Sequence, residues 1–321
     1  MRLDEHSEFV QLVALTAEEL RQNGQPKIRD EHVEKDYWVT EVLRLCNDYL
    51  GPRALFKGGT SLSKGWGIIK RFSEDVDLAI LTVRDGNLMS SGQVRDDLSR
   101  LAKFVGEHPG LSRDDARKRV AAGMRDEYYI YDRKIEGLLA PEVKLEAGTR
   151  SGQVPNIQRE IQSDVMRFIH SHEIALPDVD LQQPFEMRLM DRTRTFIEKF
   201  FAIHSEVERY VREARDLGGM VRHYYDLNAL AQEQEVRNIL GSQDDVTMRN
   251  NYADICAKNF PSSILPEGLS FRDSIALFPP AELRKDLGTR YAAQMNVLCF
   301  EASPPTFESI LERFESLRDK L

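Results

Sequence analysis

Residues 57–80 read Lys-Gly-Gly-Thr-Ser-Leu-Ser-Lys-Gly-Trp-Gly-Ile-Ile-Lys-Arg-Phe-Ser-Glu-Asp-Val-Asp-Leu-Ala-Ile. Just before them, Ala54-Leu55-Phe56 reads as a short buried strand that runs into Gly58 and Gly59. Glycine tolerates positive φ and carries no Cβ to obstruct an approaching phosphate. Thr60 or Ser61 stands where a cap for a following helix is expected, and the amides of such a helix start attract anions. Lys57, Ser61 and Lys64 add donors. From Ser73 to Ile80 the pattern alternates as in a strand: Asp75, Asp77 and Ala79 share one face, while Val76, Leu78 and Ile80 face a core.

Carboxylates two positions apart on one pleated face have Cβ atoms roughly 6–7 Å apart, and they repel each other unless a cation lies between them. Mg²⁺ suits such a pair, because it takes one or two carboxylates and completes its octahedron with phosphate oxygens and water. Taken singly, each half has a plainer reading. An Asp-x-Asp pair is also two solvated acids on a strand edge, and a Gly-Gly pair is also a simple turn. The glycines match neither a P-loop nor a dinucleotide fingerprint. Strand, Gly-Gly, helix and acid-bearing strand in that order is what metal-dependent transfer of a nucleotidyl group needs.

That chemistry calls for a further carboxylate near the attacking hydroxyl. Glu146, in Pro141-Glu142-Val143-Lys144-Leu145-Glu146-Ala147, is the candidate, on the face opposite Val143 and Leu145. Residues 192–204 fit a helix whose Phe196, Phe200 and Ile203 line one face, with Lys199 beside them. Read from the residues alone, Lys199 is a solvated lysine paired with Glu198 or Asp191. Asp226 is in the same sense a helix-surface acid four residues from Arg222.

Phe56-Lys57-Gly58-Gly59-Thr60-Ser61-Leu62-Ser63-Lys64 followed by Arg71-Phe72-Ser73-Glu74-Asp75-Val76-Asp77-Leu78 resembles the AbiEii/AbiGii toxin family of nucleotidyltransferase-like proteins, with its MenT-like members. Val33-Glu34-Lys35-Asp36-Tyr37-Trp38-Val39-Thr40 resembles the helix that precedes the core in that family. Arg194-Thr195-Phe196-Ile197-Glu198-Lys199-Phe200 and Arg222-His223-Tyr224-Tyr225-Asp226-Leu227 resemble its later motifs. The resemblance implies an α+β fold: a polymerase beta-like nucleotidyltransferase core with a mixed sheet, N-terminal helices and a C-terminal helical domain, with the active site in a cleft between domains. It implies Asp75 and Asp77 as metal ligands and Lys57, Gly58, Gly59, Thr60, Ser61 and Ser73 at the nucleotide. Lys199 would offset charge on the triphosphate, Asp226 would orient it or a substrate hydroxyl, and Glu146 or Asp226 would assist deprotonation. The cofactor implied is Mg²⁺, with Mn²⁺ as a substitute, and the substrate a nucleoside triphosphate. The acceptor implied is a tRNA 3′ end, and the biology that of a toxin–antitoxin or abortive-infection pair with a cognate antitoxin. Nucleotidylation of a protein and a non-catalytic nucleotide-binding regulator are the alternatives.

Composition sets the frame. With 44 basic and 53 acidic residues the net charge is −9, which opposes broad attraction to nucleic acid. RNA contact would need a local basic surface, for which residues 57–71, 144–159 and 188–194 are candidates. No apolar run reaches the eighteen or so residues of a membrane span, and the first residues lack a secretory signal pattern. Cys46, Cys256 and Cys299 suggest neither a disulfide framework nor a zinc site, so a cytoplasmic location is expected. Helices are expected over residues 8–22 and 30–49, a polar helical stretch over 91–122, and a strand pair over 127–149 carrying Tyr128, Tyr129 and Tyr131. The Pro-rich residues 177–184 suggest a boundary, giving domains 1–185 and 186–321. Phe307, Ile310, Leu311, Phe314 and Leu317 mark a closing amphipathic helix. His170-Ser171-His172-Glu173 reads as a surface turn rather than a ligand set.

Overall fold

A computed structural model describes residues 1–84 and 86–321. It divides into two compact units, Met1–Met190 with Phe300–Ala302, and Asp191–Cys299 with Ser303–Leu321. In the first unit, helix α1 (Phe9–Gln22) buries Phe9, Leu12, Val13 and Ala17, whose spacing gives one apolar stripe. Helix α2 (Asp30–Leu50) follows, and its His32 Nδ1 accepts the Arg29 amide at 3.0 Å, closing the first turn. Strand β1 (Ala54–Lys57) leads directly into α3 (Gly58–Lys64), and β2 is Val76–Ile80. The short strands β3 (Val83–Arg84) and β4 (Asn87–Leu88) pair with each other.

The rest of the unit completes one sheet. Helix α4 (Ser91–Gly106) is followed by β5 (Leu111–Arg113), β6 (Arg119–Ala121), β7 (Met124–Tyr131) and β8 (Glu142–Gly148). Then come β9 (Asn156–Ile161), α5 (Asp164–Ser171) and β10 (Phe185–Met190). The strands lie in the order β5-β7-β8-β2-β1-β10-β9, with β6 also on β7. The sheet is mixed: β1 runs parallel to β10 and β2 parallel to β8, while β1–β2 and β7–β8 are antiparallel. The α+β architecture with a mixed sheet is as expected.

Three details differ from the sequence reading. Helix α4 stops at Gly106, short of the expected 91–122, because Pro109 cannot extend it and residues 111–113 and 119–121 instead pair with β7. Residues 185–190 form a strand of the first unit, held by β9 and β1, so the division falls at Met190/Asp191, beyond the Pro-rich segment. Ala79 is also buried, against Leu55 and Met190, so β2 is covered on both faces toward its end.

The core face of the central strands carries Phe56, Val76, Leu78, Val143, Leu145 and Ala147. Tyr129 is fully buried with its hydroxyl on the Ala102 carbonyl, and Tyr131 stacks on Trp38 at 5.3 Å. Both pack, and Tyr128 lies under the Arg117 guanidinium.

The second unit is helical: α6 (Arg192–Glu213), α7 (Arg222–Leu230), α8 (Gln234–Ile239), α9 (Gln243–Asn259), α10 (Ala281–Leu298) and α11 (Phe307–Leu317). Phe196, Phe200 and Ile203 are buried, and Phe200 meets Phe271 and Phe314 edge-on or tilted. The α11 stripe read from the sequence is buried throughout. Among the described residues no helix is long and apolar enough to cross a membrane.

Candidate active site

Strand register brings four charged residues into one row. Lys57 on β1 is opposite Asp77 on β2, Asp77 is opposite Glu146 on β8, and Glu146 is opposite Asp126 on β7. Directly paired residues share a face of the sheet, and this face is opposite the one bearing Phe56, Val76 and Leu145. Asp75, two positions before Asp77, precedes the first residue of β2; both acids are half-buried.

The turn after β1 is shaped around Asp77. Gly58 has φ +76°, and a Cβ built on it would stand 2.0 Å from Asp77 Oδ2. The carboxylate therefore occupies the space that any other residue would fill. At Gly59 a Cβ would come within 2.6 Å of the Arg71 guanidinium and 2.9 Å of Ser73 Oγ. Both glycines thus admit close approach of this chain's own side chains, Asp77 at Gly58 and Arg71 with Ser73 at Gly59.

Thr60 and Ser61 are not helix caps. Helix α3 already begins at Gly58, so both lie inside it, and the cap residue is Lys57, whose side chain makes no capping bond. Thr60 Oγ1 instead donates to the Asp75 carbonyl at 2.6 Å and lies 2.9 Å from Ser73 Oγ, which ties the acid-bearing segment to the helix. Ser61 is fully buried, and its hydroxyl donates back to the Gly58 carbonyl at 2.9 Å.

Helix α2 braces both sides of this arrangement. Its Lys35 ammonium pairs with Glu74 at 2.6 Å and donates to the Ala140 carbonyl at 2.8 Å. Asp36 pairs with Lys64 of α3 at 2.5 Å and accepts the Asp164 amide at 2.8 Å. The segment Val33–Thr40 thus fixes the residue before Asp75 and the end of the glycine-led helix, which is a positional role that its sequence alone does not reveal.

Glu146 has its carboxylate bound by Lys144, two residues back on the same face, and its side chain remains 38% exposed. The Lys144 ammonium pKa is lowered by burial, but Glu146 and then Asp75 more than reverse this, so the net shift is upward. Asp126 is nearly buried, with Oδ1 unpartnered, and burial together with the neighbouring Glu146 pushes its carboxyl above the usual range. Sequence reasoning missed Asp126. In Met124-Arg125-Asp126-Glu127 it is one of two adjacent acids, and only register shows which faces Glu146.

A separate cluster lies in the second unit. Lys199 of α6 is 6% exposed and pairs with the fully buried Asp226 of α7 at 2.7 Å. Its ammonium also contacts His223 Nδ1 at 3.1 Å. The plainer sequence readings do not hold here: Glu198 pairs with Arg194, and Asp191 caps the Thr193 amide. Burial, reinforced by Lys199, pushes the His223 imidazole down to about 3. A neutral ring accepting at Nδ1 carries its proton on Nε2. His223 was quoted as part of a motif but not singled out. Of the histidine-rich turn, His170 meets Gln162 and His172 meets Glu19, with no shared ligand point.

The family of nucleotidyl transferase AbiEii toxins of type IV toxin–antitoxin systems matches residues 42–313 of the chain. The chain belongs to the AbiEii nucleotidyltransferase toxin family. Among solved structures it is similar to MenT4, a nucleotidyltransferase toxin from Mycobacterium tuberculosis H37Rv, at 17% identity and a TM-score of 0.41, covering 97% of this chain and 96% of that one. No curated protein matches it.

Among the described residues, no group of three or more His, Cys, Asp or Glu side chains is arranged to hold a metal ion. The donors expected from the sequence are Asp75 and Asp77, and Asp77 is seated in the space left open by Gly58. Such a pair fits Mg²⁺ or Mn²⁺, hard ions that draw their remaining ligands from phosphate and water.

Proposed function

We propose that this AbiEii nucleotidyltransferase moves a nucleoside monophosphate from a nucleoside triphosphate to an acceptor hydroxyl, with a tRNA 3′ end as the acceptor. The observation that carries the reading is the seating of the Asp77 carboxylate against the Gly58 backbone, in register with Glu146. A divalent cation held by Asp75 and Asp77 would neutralise charge on the phosphates. The absence of a Cβ at Gly58 and Gly59 lets Asp77, Arg71 and Ser73 close in where the triphosphate would lie, and Thr60 and Ser73 hold the Asp75 segment in place. Glu146, half-buried and positioned by Lys144, accepts the proton of the attacking hydroxyl. A bond forms between that oxygen and the α-phosphorus, the bond from the α-phosphorus to its bridging oxygen breaks, and pyrophosphate departs.

Lys199 and Asp226 carry the roles that the family resemblance implies: offsetting negative charge and orienting the lysine. Their mutual ion pair supports the second role. His223 holds the same ammonium from another side. The reading places the protein in the cytoplasm, where triphosphates and tRNA are found, beside a cognate antitoxin.

Incubating the purified chain with each α-labelled triphosphate, in the presence of total tRNA or of cell protein, tests the acceptor. The expected result is label at tRNA 3′ ends. Label on protein alone supports nucleotidylation of a partner, and label on neither supports a nucleotide-binding regulator.

A further inference from the structure

The sheet face that carries Asp77, Glu146 and Asp126 continues along β7 and β8. Tyr128 follows Asp126 by two positions, so it shares that face, and it is paired directly with Lys144. Diagonal neighbours on one face of a sheet lie about 7–8 Å apart, which places Tyr128 within a nucleotide's span of Glu146. Ile130, two residues further along, is 38% exposed, so this part of the face is open to solvent.

Arg117 covers the Tyr128 ring, its guanidinium carbon 4.2 Å from the ring centroid. Three hydrogen bonds hold the group in that pose: Nε donates to Asp114 at 2.7 Å, and both terminal nitrogens donate to the Glu142 carboxylate. Asp114 is itself fixed, because its amide donates to the Tyr128 carbonyl at 2.9 Å and its Oδ1 accepts the Ala116 amide at 3.0 Å. A bidentate carboxylate sets the plane of a guanidinium as well as its place. With the ring on one face and carboxylates along its edges, the plane keeps its outer face open, and the side chain is 44% exposed. Exposed ion pairs add little to stability, so stability alone does not account for two acids and a ring converging on one surface arginine. Both carboxylates neutralise the group, so it is not an anion site. What it offers is a flat, immobilised π-surface, and guanidinium planes of this kind stack on the bases of unpaired RNA. Stacking is compatible with a chain of net charge −9, which opposes attraction through phosphates.

We propose that the outer face of Arg117 stacks a nucleobase at the 3′ end of an acceptor RNA, an inference that rests on the transfer reading above. Tyr128 backs the guanidinium, and the base held there brings the hydroxyl of its strand toward Glu146. The platform takes a single-stranded end, because bases inside a duplex have no free face to stack. It accepts any base, since each has a π-face.

The test is fluorescence anisotropy of the full-length protein with a 5′-fluorescein hexaribonucleotide of free 3′ end, and with the same strand made abasic at its 3′ end. Wild type is expected to bind the intact strand and to lose about tenfold in affinity for the abasic one, as loss of a stacked base does. Arg117→Ala and Arg117→Lys are each expected to lose a similar factor on the intact strand and nothing further on the abasic one. Lysine keeps the charge and not the plane, so its loss separates stacking from electrostatics. A merely structural arginine would give additive losses instead. Tyr128→Ala, which removes the backing ring, is expected to follow the Arg117 variants. A circular-dichroism melt identifies any variant that fails to fold, leaving the others to decide. Wild-type affinity in Arg117→Lys, additive losses in the abasic comparison, or no binding of the intact strand by wild type overturns the proposal. The readout needs no turnover, so failure of transfer with this pattern intact counts against the catalytic reading and not against the platform.

Discussion

Asp77 Oδ2 lies where a Cβ on residue 58 would stand, 2.0 Å from that position, with Gly58 at φ +76°. The acid and the glycine therefore constrain each other. Gly58→Ala is predicted to cost about 1–2 kcal/mol from the left-handed backbone alone, and more from displacing the carboxylate. Urea denaturation measures the loss, and transfer activity should fall with it. A variant with wild-type stability and activity would show that the close approach is not needed.

Lys199 and Asp226 form a buried ion pair. Removing one partner leaves the other charge uncompensated, which costs about 3–5 kcal/mol. Asp226→Asn and Lys199→Met are each predicted to be destabilised on that scale, whereas the double variant Lys199→Met/Asp226→Leu recovers most of the stability. All three are predicted to be inactive in transfer. A double variant as unstable as the sum of the singles would exclude the pairing.

Two histidines are held neutral, His32 at about 4 and His223 at about 3, chiefly by burial and then by Arg29 and Lys199 respectively. Their folded values lie below the ordinary 6.5, so below that pH the unfolded chain binds more protons. Their contribution to stability is present above pH 6.5 and is lost as pH falls toward 4 and then 3. Because paired carboxylates act in the same direction, the informative curve is the difference between wild type and His223→Gln. The variant's stability is predicted to fall less steeply between pH 6.5 and pH 4. Parallel curves would contradict the assignment.

Asp126 has the opposite sign. Its folded pKa is raised by burial and Glu146, so its favourable contribution exists at low pH and is lost as pH rises through the folded value. Asp126→Asn is predicted to be more stable than wild type at pH 7, with the gap closing toward pH 4. Chemical denaturation at both pH values checks this, and a less stable variant at pH 7 would refute it.

Glu146 is assigned as the proton acceptor. Glu146→Gln is predicted to lower kcat by about 10²–10⁴-fold with little change in KM for the triphosphate. A rise in KM at unchanged kcat would instead make Glu146 a binding residue.

Much of the first unit was legible because its signals are local. Alternation across residues 75–80 and the pair Gly58-Gly59 each act within a few residues, and the α11 stripe does the same in the second unit. What was hidden depends on pairing at long range. β5 and β6 lie in a polar stretch that becomes strand only by bonding to β7. Strand β10 follows a Pro-rich segment and is defined by its register with β1 and β9. Asp126 gains meaning only opposite Glu146, and Lys199 finds Asp226 on another helix. Thr60 looked like a cap because the start of α3 at Gly58 leaves no sequence signal.

The central claim is that Asp75 and Asp77 serve divalent-cation-dependent transfer of a nucleotidyl group. The direct measurement is incorporation of α-labelled nucleotide by purified wild type, Asp75→Asn and Asp77→Asn, with Mg²⁺ titrated against EDTA. Incorporation that requires the cation and is absent in both variants, while each keeps the wild-type circular-dichroism spectrum, is the predicted result. Incorporation that persists in EDTA, or in either folded variant, would contradict the account.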